Sequence, residues 1–200
     1  MSKIEIKYPS GATPLDPNEL GGLIPDYITT QGELNTLEME NIVVASNWAL
    51  SKKHTDFLNV TFCYDLHKRM FEQVWKWAGK QRQSNKNIGV SKEQIISQLK
   101  QLFDDTDYWI KHNSFGWNEI AARFHHRLVW VHAFVNGNGR HARLLTNILL
   151  RANGQEPFTW GNATHRELID TESAVRKEYI AALREADNNS FDRLLKFATS

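Results

Sequence analysis

A single cysteine, Cys63, occurs in the 200 residues, so an internal disulfide and a cysteine-based zinc site are both excluded. That usage suits a reducing compartment, and a cytoplasmic location is expected. Long apolar runs are missing as well: none approaches the ~20 residues that cross a bilayer. Met1 to Ser10 carries Lys3 and Lys7 but no apolar segment of the secretory kind, which leaves the sequons at Asn59 and Asn162 without meaning. Neither sign of charge is in excess. With 24 Lys+Arg against 23 Asp+Glu the net charge is +1, and the electrostatic footprint of a general nucleic-acid binder is absent. No repeat, low-complexity tract or His-Glu-x-x-His spacing occurs, and His125 and His126 point to different helix faces, which argues against a shared metal.

What is present reads as one mainly α domain large enough for its own core. Pro14, Pro17 and Gly21-Gly22 give residues 1–29 the chemistry of an ordered N-terminal arm. A helix is expected from about Glu33 to Leu50. Leu58, Phe62, Leu66, Met70 and Val74 recur every four positions and predict a long core helix from Thr55, stopped near Gly79. Its His67 reads as structural. Residues 80–90 are polar and short, predicting a loop or small hairpin. Ser91-Lys92-Glu93-Gln94 reads as a capping box before the next helix. Another helix begins near Asn118, and others are expected to open at Thr164 and at Asn189-Ser190. The seven tryptophans read as packing residues.

The chemistry concentrates in His132-Ala133-Phe134-Val135-Asn136-Gly137-Asn138-Gly139-Arg140-His141-Ala142-Arg143. A histidine closes an apolar helix, two glycines make a tight turn, and a new helix presents Arg140 and Arg143 on one face near its first turn. Glycine lets backbone approach a ligand closely, and free N–H groups at a helix start attract phosphate. The expected ligand is a polyphosphate, with His132 as a general base whose ordinary pKa lies near neutrality.

These residues resemble the signature of the Fic (Fido-domain) proteins, His-Pro-Phe-x-Asp/Glu-Gly-Asn-Gly-Arg-x-x-Arg, with Ala133 in place of the proline and Asn136 in place of the acidic residue. The resemblance extends through Trp77-Ala78-Gly79-Lys80 and through Arg176, Tyr179 and Ala182-Leu183, covering roughly residues 30 to 195. It implies a Fic helical core over 51–200 with a short β-hairpin flap that pairs with target backbone. It further implies transfer of AMP from ATP to a Ser, Thr or Tyr hydroxyl of a target protein. In that reading His132 is the base, Gly137, Asn138 and Gly139 cradle phosphate through backbone and the Asn138 amide, Arg140 and Arg143 hold the β- and γ-phosphates, and Phe134 anchors the turn. Asn136 takes the place of the Mg²⁺ ligand, and a neutral amide holds a hard cation more weakly. Relatives of the Doc type phosphorylate instead, but they depart from the Gly-Asn-Gly turn kept here.

Thr29-Thr30-Gln31-Gly32-Glu33-Leu34 resembles, except at Leu34, the inhibitory motif of many Fic proteins. That likeness makes 30–50 a candidate inhibitory helix whose Glu33 would pair with Arg143. The arm and the overall length resemble the mobile mystery protein B group, which implies a toxin or regulatory role beside a helix-turn-helix partner. Two alternatives stand beside the enzyme. One is a pseudoenzyme that binds nucleotide without turnover; the other is a ribonuclease of HEPN type, from the Arg-x-x-x-x-His spacing of Arg127 and His132.

Overall fold

Polar side chains start two of the helices, at Thr30-Glu33 and at Asn59. The computed structural model describes residues 14–51, 54–161 and 174–200, and among them the architecture is mainly α. The helices are α1 (Pro17–Leu20), α2 (Gln31–Ser51), α3 (Val60–Phe71), α4 (Ile95–Lys111), α5 (Trp117–Val131), α6 (Asn138–Ala152), α7 (Ala174–Ala186) and α8 (Asp192–Ala198). Glu33 Oε2 accepts from the amides of Thr29 and Thr30 at 2.8 and 2.9 Å, while Thr30 Oγ1 accepts from Glu33 N at 3.2 Å; these bonds start α2. Asn59 Oδ1 accepts from Phe62 N at 2.8 Å and starts α3.

That cap makes α3 shorter than the four-residue spacing predicts. Val74 and Trp75 are buried, but in a turn beyond the helix, where the N-terminal segment binds the Val74 carbonyl and the Lys76 amide: Ile24 N donates to Val74 O and Lys76 N to Gly22 O. Ser91 likewise makes no side-chain cap. A 3₁₀ turn, Lys92–Gln94, precedes α4 instead. The helix expected to open at Thr164 falls outside the described residues, as does the first part of the arm.

The expected hairpin flap is also replaced. No sheet forms among the described residues, where Gln81 makes an isolated antiparallel bridge with Phe134 and 82–91 is irregular. Beyond the Arg82 N to Ala133 O bond beside that bridge, side chains supply backbone bonds of the segment. Asn85 Oδ1 accepts from Lys92 N at 2.9 Å, Lys92 Nζ donates to Gln83 O at 3.0 Å, and Arg82 reaches the carbonyls of Ser84 and Val90.

The core lies where α3, α4, α5 and α6 meet. Leu66, Met70, Phe71, Leu99, Phe124, Val131, Leu145 and Leu149 have no solvent-accessible surface there. Leu34, Ile42, Ala45 and Ala49 of α2 join the same cluster, so α2 is laid onto the core that carries the glycine turn. A second cluster, built from α7, α8, Phe158 and Trp160, backs the other side of α5.

Candidate phosphate-binding site at the start of α6

His132 ends α5 in the left-handed conformation, with φ 52° and ψ 57°. A side chain there costs about 1 kcal/mol, and the surrounding bonds hold it in place. Its amide donates to Leu128 O at 3.4 Å and its carbonyl accepts from Arg82 Nε at 2.6 Å. The residue is 8% exposed. Burial pushes its pKa down to about 4, helped by the charges of Arg82 and Lys86 and opposed by the Val129 carbonyl. At neutral pH the ring is therefore neutral and has a lone pair to offer. Nδ1 itself meets no partner within hydrogen-bond geometry.

The glycine turn is held rigidly from behind. Gly137 has φ 77°, and a Cβ built there would stand 2.4 Å from the Phe71 ring, so both backbone and space demand glycine. Asn138 Oδ1 accepts from Phe134 N and its Nδ2 donates to Phe134 O, both at 2.9 Å. Asn136 Oδ1 accepts from Gly137 N at 2.6 Å. Behind the turn His67 accepts from Gly79 N through Nδ1 and lies 3.0 Å from Asn136 O through Nε2, which makes Nε2 the protonated nitrogen. Its ring stacks on Phe134 at 3.7 Å. The first ladder bond of α6 runs from His141 N to Gly137 O at 2.9 Å. The amides of Asn138, Gly139 and Arg140 precede that ladder and are left for an anion.

Two arginines continue the site along α6. Arg140 Nη1 donates to Glu38 Oε2 of α2 at 2.6 Å, and its guanidinium lies 4.9 Å from the Phe71 ring centre. Arg143 lies over Tyr179 at 5.1 Å and hydrogen-bonds its hydroxyl; burial lowers its pKa, yet an arginine keeps its charge. Tyr179 in turn contacts His125 Nε2 at 3.0 Å. One helix start thus combines free amides with two cations, next to a neutral histidine. Anionic oxygen is the ligand such a site takes.

Residues 57–150 match the Fic/DOC family profile. The chain belongs to that family. Protein adenylyltransferase fic-1 of Caenorhabditis elegans is 32% identical over 146 residues, which is 69% of this chain and 26% of that protein. The Aedes aegypti protein adenylyltransferase Fic is 26% identical over 148 residues, covering 72% and 28%. The chain therefore spans about a quarter of the length of these relatives. Among solved structures, C. elegans Fic-1 (aa134–508) superposes with TM-score 0.65 at 26% identity, covering 91% of this chain and 52% of that one. BepC of Bartonella tribocorum with bound AMPPNP does so with TM-score 0.70 at 17%, covering 92% and 97%, which establishes a shared Fic fold.

Several expectations for the Fic motif need correction. Glu33 does not meet Arg143, because its carboxylate is engaged by Thr29 and Thr30 at the start of α2. Glu38, further along α2, faces the motif instead, and its partner is Arg140. The Asn138 side chain spends its Oδ1 and one Nδ2 hydrogen on Phe134, which leaves a single amide hydrogen beyond the turn's own bonds. Phe134, for which an anchoring role is expected, is buried at 1% exposure. Arg127, which the ribonuclease reading pairs with His132, lies over Trp130 and donates to Gln98 at 2.7 Å. No cluster of potential metal-ligating side chains occurs among the described residues.

Glu38, Arg82 and Tyr179 were not assigned chemistry from sequence. Glu38 carries a signal: it lies on the stripe Leu34, Ile42, Ala45, Ala49, where a carboxylate needs a buried partner. Arg82, alone in a polar loop, carries none.

Proposed function

We propose that this chain is a protein AMP transferase acting on ATP. The observation that carries the reading is the neutral, left-handed His132 set beside a helix start that combines free amides with Arg140 and Arg143. Relatives named protein adenylyltransferases support it, as does a neighbour solved with AMPPNP. His132 takes the proton from a Ser, Thr or Tyr hydroxyl of a target protein. The hydroxyl oxygen forms a bond to the α-phosphorus, the bond from that phosphorus to the bridging oxygen breaks, and pyrophosphate leaves with the electron pair. The amides of residues 138–140 and the guanidinium of Arg143 bind the phosphate oxygens, with Arg140 beside them. The intact Gly137-Asn138-Gly139 turn favours AMP transfer over phosphate transfer.

Mg²⁺ fits this site as a passenger of the nucleotide. Asn136 Oδ1 is the side-chain oxygen in the turn, and it already accepts from Gly137 N, leaving one lone pair for a metal or its water. When bound, the ion supplies charge neutralisation on the phosphates.

Transfer is restrained in this reading by α2, through Glu38 acting on Arg140 and not through Glu33. A helix-turn-helix protein as regulatory partner rests on the resemblance to the mobile mystery protein B group alone. The nucleotide-binding pseudoenzyme is favoured by one observation, the amide at Asn136. Label transfer from ATP tagged at the α- or the γ-phosphate separates the readings. Transfer of α-label lost in His132→Ala supports the AMP transferase, γ-label alone means a kinase, and ATP binding without transfer in wild type and Glu38→Gln means the pseudoenzyme.

A further inference from the structure

Arg82 stands outside the motif, in the 80–91 loop, yet it has no solvent-accessible surface. Its guanidinium is solvated by carbonyls: Nε donates to His132 O at 2.6 Å, Nη1 to Ser84 O at 2.8 Å, and Nη2 to Val90 O. Its own amide donates to Ala133 O at 3.1 Å. Glu93 acts on it through the longer-range field, so the positive charge beside the base is not cancelled by contact. Burying a charge this way is costly unless every donor finds an acceptor. A position that fixes three carbonyls of two segments at once is the return for that cost.

The loop also lies directly on the histidine. Gly89 has φ 91°, and a Cβ built there would stand 2.5 Å from His132 Cβ and 3.2 Å from Arg82 Nη2. Further out, Lys86 Nζ is tied to Asp16 at 3.0 Å and to Glu19 at 2.6 Å, and Ser84 Oγ donates to Glu19 at 3.2 Å.

We propose that Arg82 is a positioning residue of the transfer reaction: its guanidinium locks the 80–91 loop onto the carbonyl of His132, so that loop and base keep one geometry as a unit. The proposal rests on the AMP-transferase reading for its kinetic consequence. A planar fork reaching three carbonyls is a task for arginine, since an ammonium projects its protons from one point. The left-handed His132 needs such restraint, because the backbone would otherwise relax and carry the ring away from the acceptor hydroxyl. The charge has a second effect. The groups acting on the His132 ring are Arg82 and Lys86 from the loop and the Val129 carbonyl from α5, and of the two cations Lys86 is neutralised by Asp16 and Glu19. Arg82 therefore supplies the field that helps burial keep the ring unprotonated.

The test uses Arg82→Lys and Arg82→Met in the full chain, with three readouts: AMP-transfer kcat against KM for ATP, hydrogen exchange of the loop amides, and the ¹⁵N titration of the His132 ring. Arg82→Lys is expected to leave the ring midpoint near its wild-type value while kcat falls about a hundredfold with KM little changed, because the charge stays and the fork is lost. Arg82→Met is expected to raise the ring midpoint by about one pH unit and to speed exchange across residues 84–90. Should Arg82→Met not fold, Gly89→Ala attacks the same contact from the loop and must lower kcat without weakening ATP binding. Full kcat in Arg82→Lys overturns the proposal. So does protected loop exchange with an unshifted ring in Arg82→Met. If wild type transfers no AMP, the functional reading falls, while exchange and ring titration still decide the clamp.

Discussion

Glu38 grips Arg140 at 2.6 Å across 102 positions of sequence, and its other carboxylate oxygen accepts from Trp75 Nε1 at 2.6 Å. An N-terminal helix thereby holds one of the two guanidiniums that face the phosphate site. The same donors cannot serve Glu38 and a phosphate together. Glu38→Gln keeps an acceptor for Trp75 and removes the charge. It is expected to tighten ATP binding and raise label transfer by about tenfold, equivalent to about 1.4 kcal/mol, measured by calorimetry and by α-label incorporation. Unchanged affinity would remove α2 from the control of this site.

The glycine turn has no room to vary. Gly137→Ala must place a methyl against Phe71 at a backbone conformation hostile to side chains. A loss of about 2 kcal/mol in stability is expected, together with ATP affinity below detection by calorimetry. A variant that melts and binds like wild type would show that the turn is softer than its contacts imply.

Asn136 offers a direct route to the metal question. An aspartate there can still accept from Gly137 N while adding the negative charge that a hard cation prefers. Asn136→Asp should lower the Mg²⁺ concentration for half-maximal transfer by about tenfold. An identical Mg²⁺ titration in both proteins would leave metal binding to the nucleotide alone.

Buried histidines set the acid limit of the fold. Burial pushes the pKa values of His132 and His141 down to about 4, and it lowers those of His67 and His125 as well. The folded chain keeps these rings neutral, whereas the unfolded chain protonates them near the ordinary pKa of about 6.5. The unfolded state therefore binds more protons between pH 6.5 and 4, so stability is fullest above that window and falls as pH drops through it. Across that window His132 and His141 each contribute on the order of 3 kcal/mol. Urea midpoints at pH 7 and pH 5 check the sign, and a midpoint that rises on acidification contradicts it.

The motif was legible because its chemistry is local. His132, the glycines and both arginines lie within one helix end and one turn, so spacing alone implies their proximity. The anchoring role of Phe134 comes from the Fic resemblance. Contacts that join distant segments were less visible. Glu38 lies 102 positions from Arg140, and choosing it over Glu33 requires knowing that Thr29 and Thr30 claim Glu33 first. The end of α3 departs from the apolar spacing, because Val74 keeps the spacing of a helix while the backbone from Gly22 to Ile24 captures its carbonyl and the Lys76 amide. The expected hairpin gave way to Arg82, Asn85 and Lys92, whose side chains take the backbone bonds that a partner strand would have made.

Trp75 turns the grip on Arg140 into something that can be watched. Its indole donates to Glu38 and stacks on Trp77 with ring centres 4.8 Å apart and planes 20° from parallel. Any shift of the Glu38 carboxylate alters the surroundings of a coupled pair of chromophores. On the proposed reading, a nucleotide that draws Arg140 away from Glu38 is expected to change the ultraviolet emission and exciton signal of the unlabelled protein, so that its release could be followed by mixing alone.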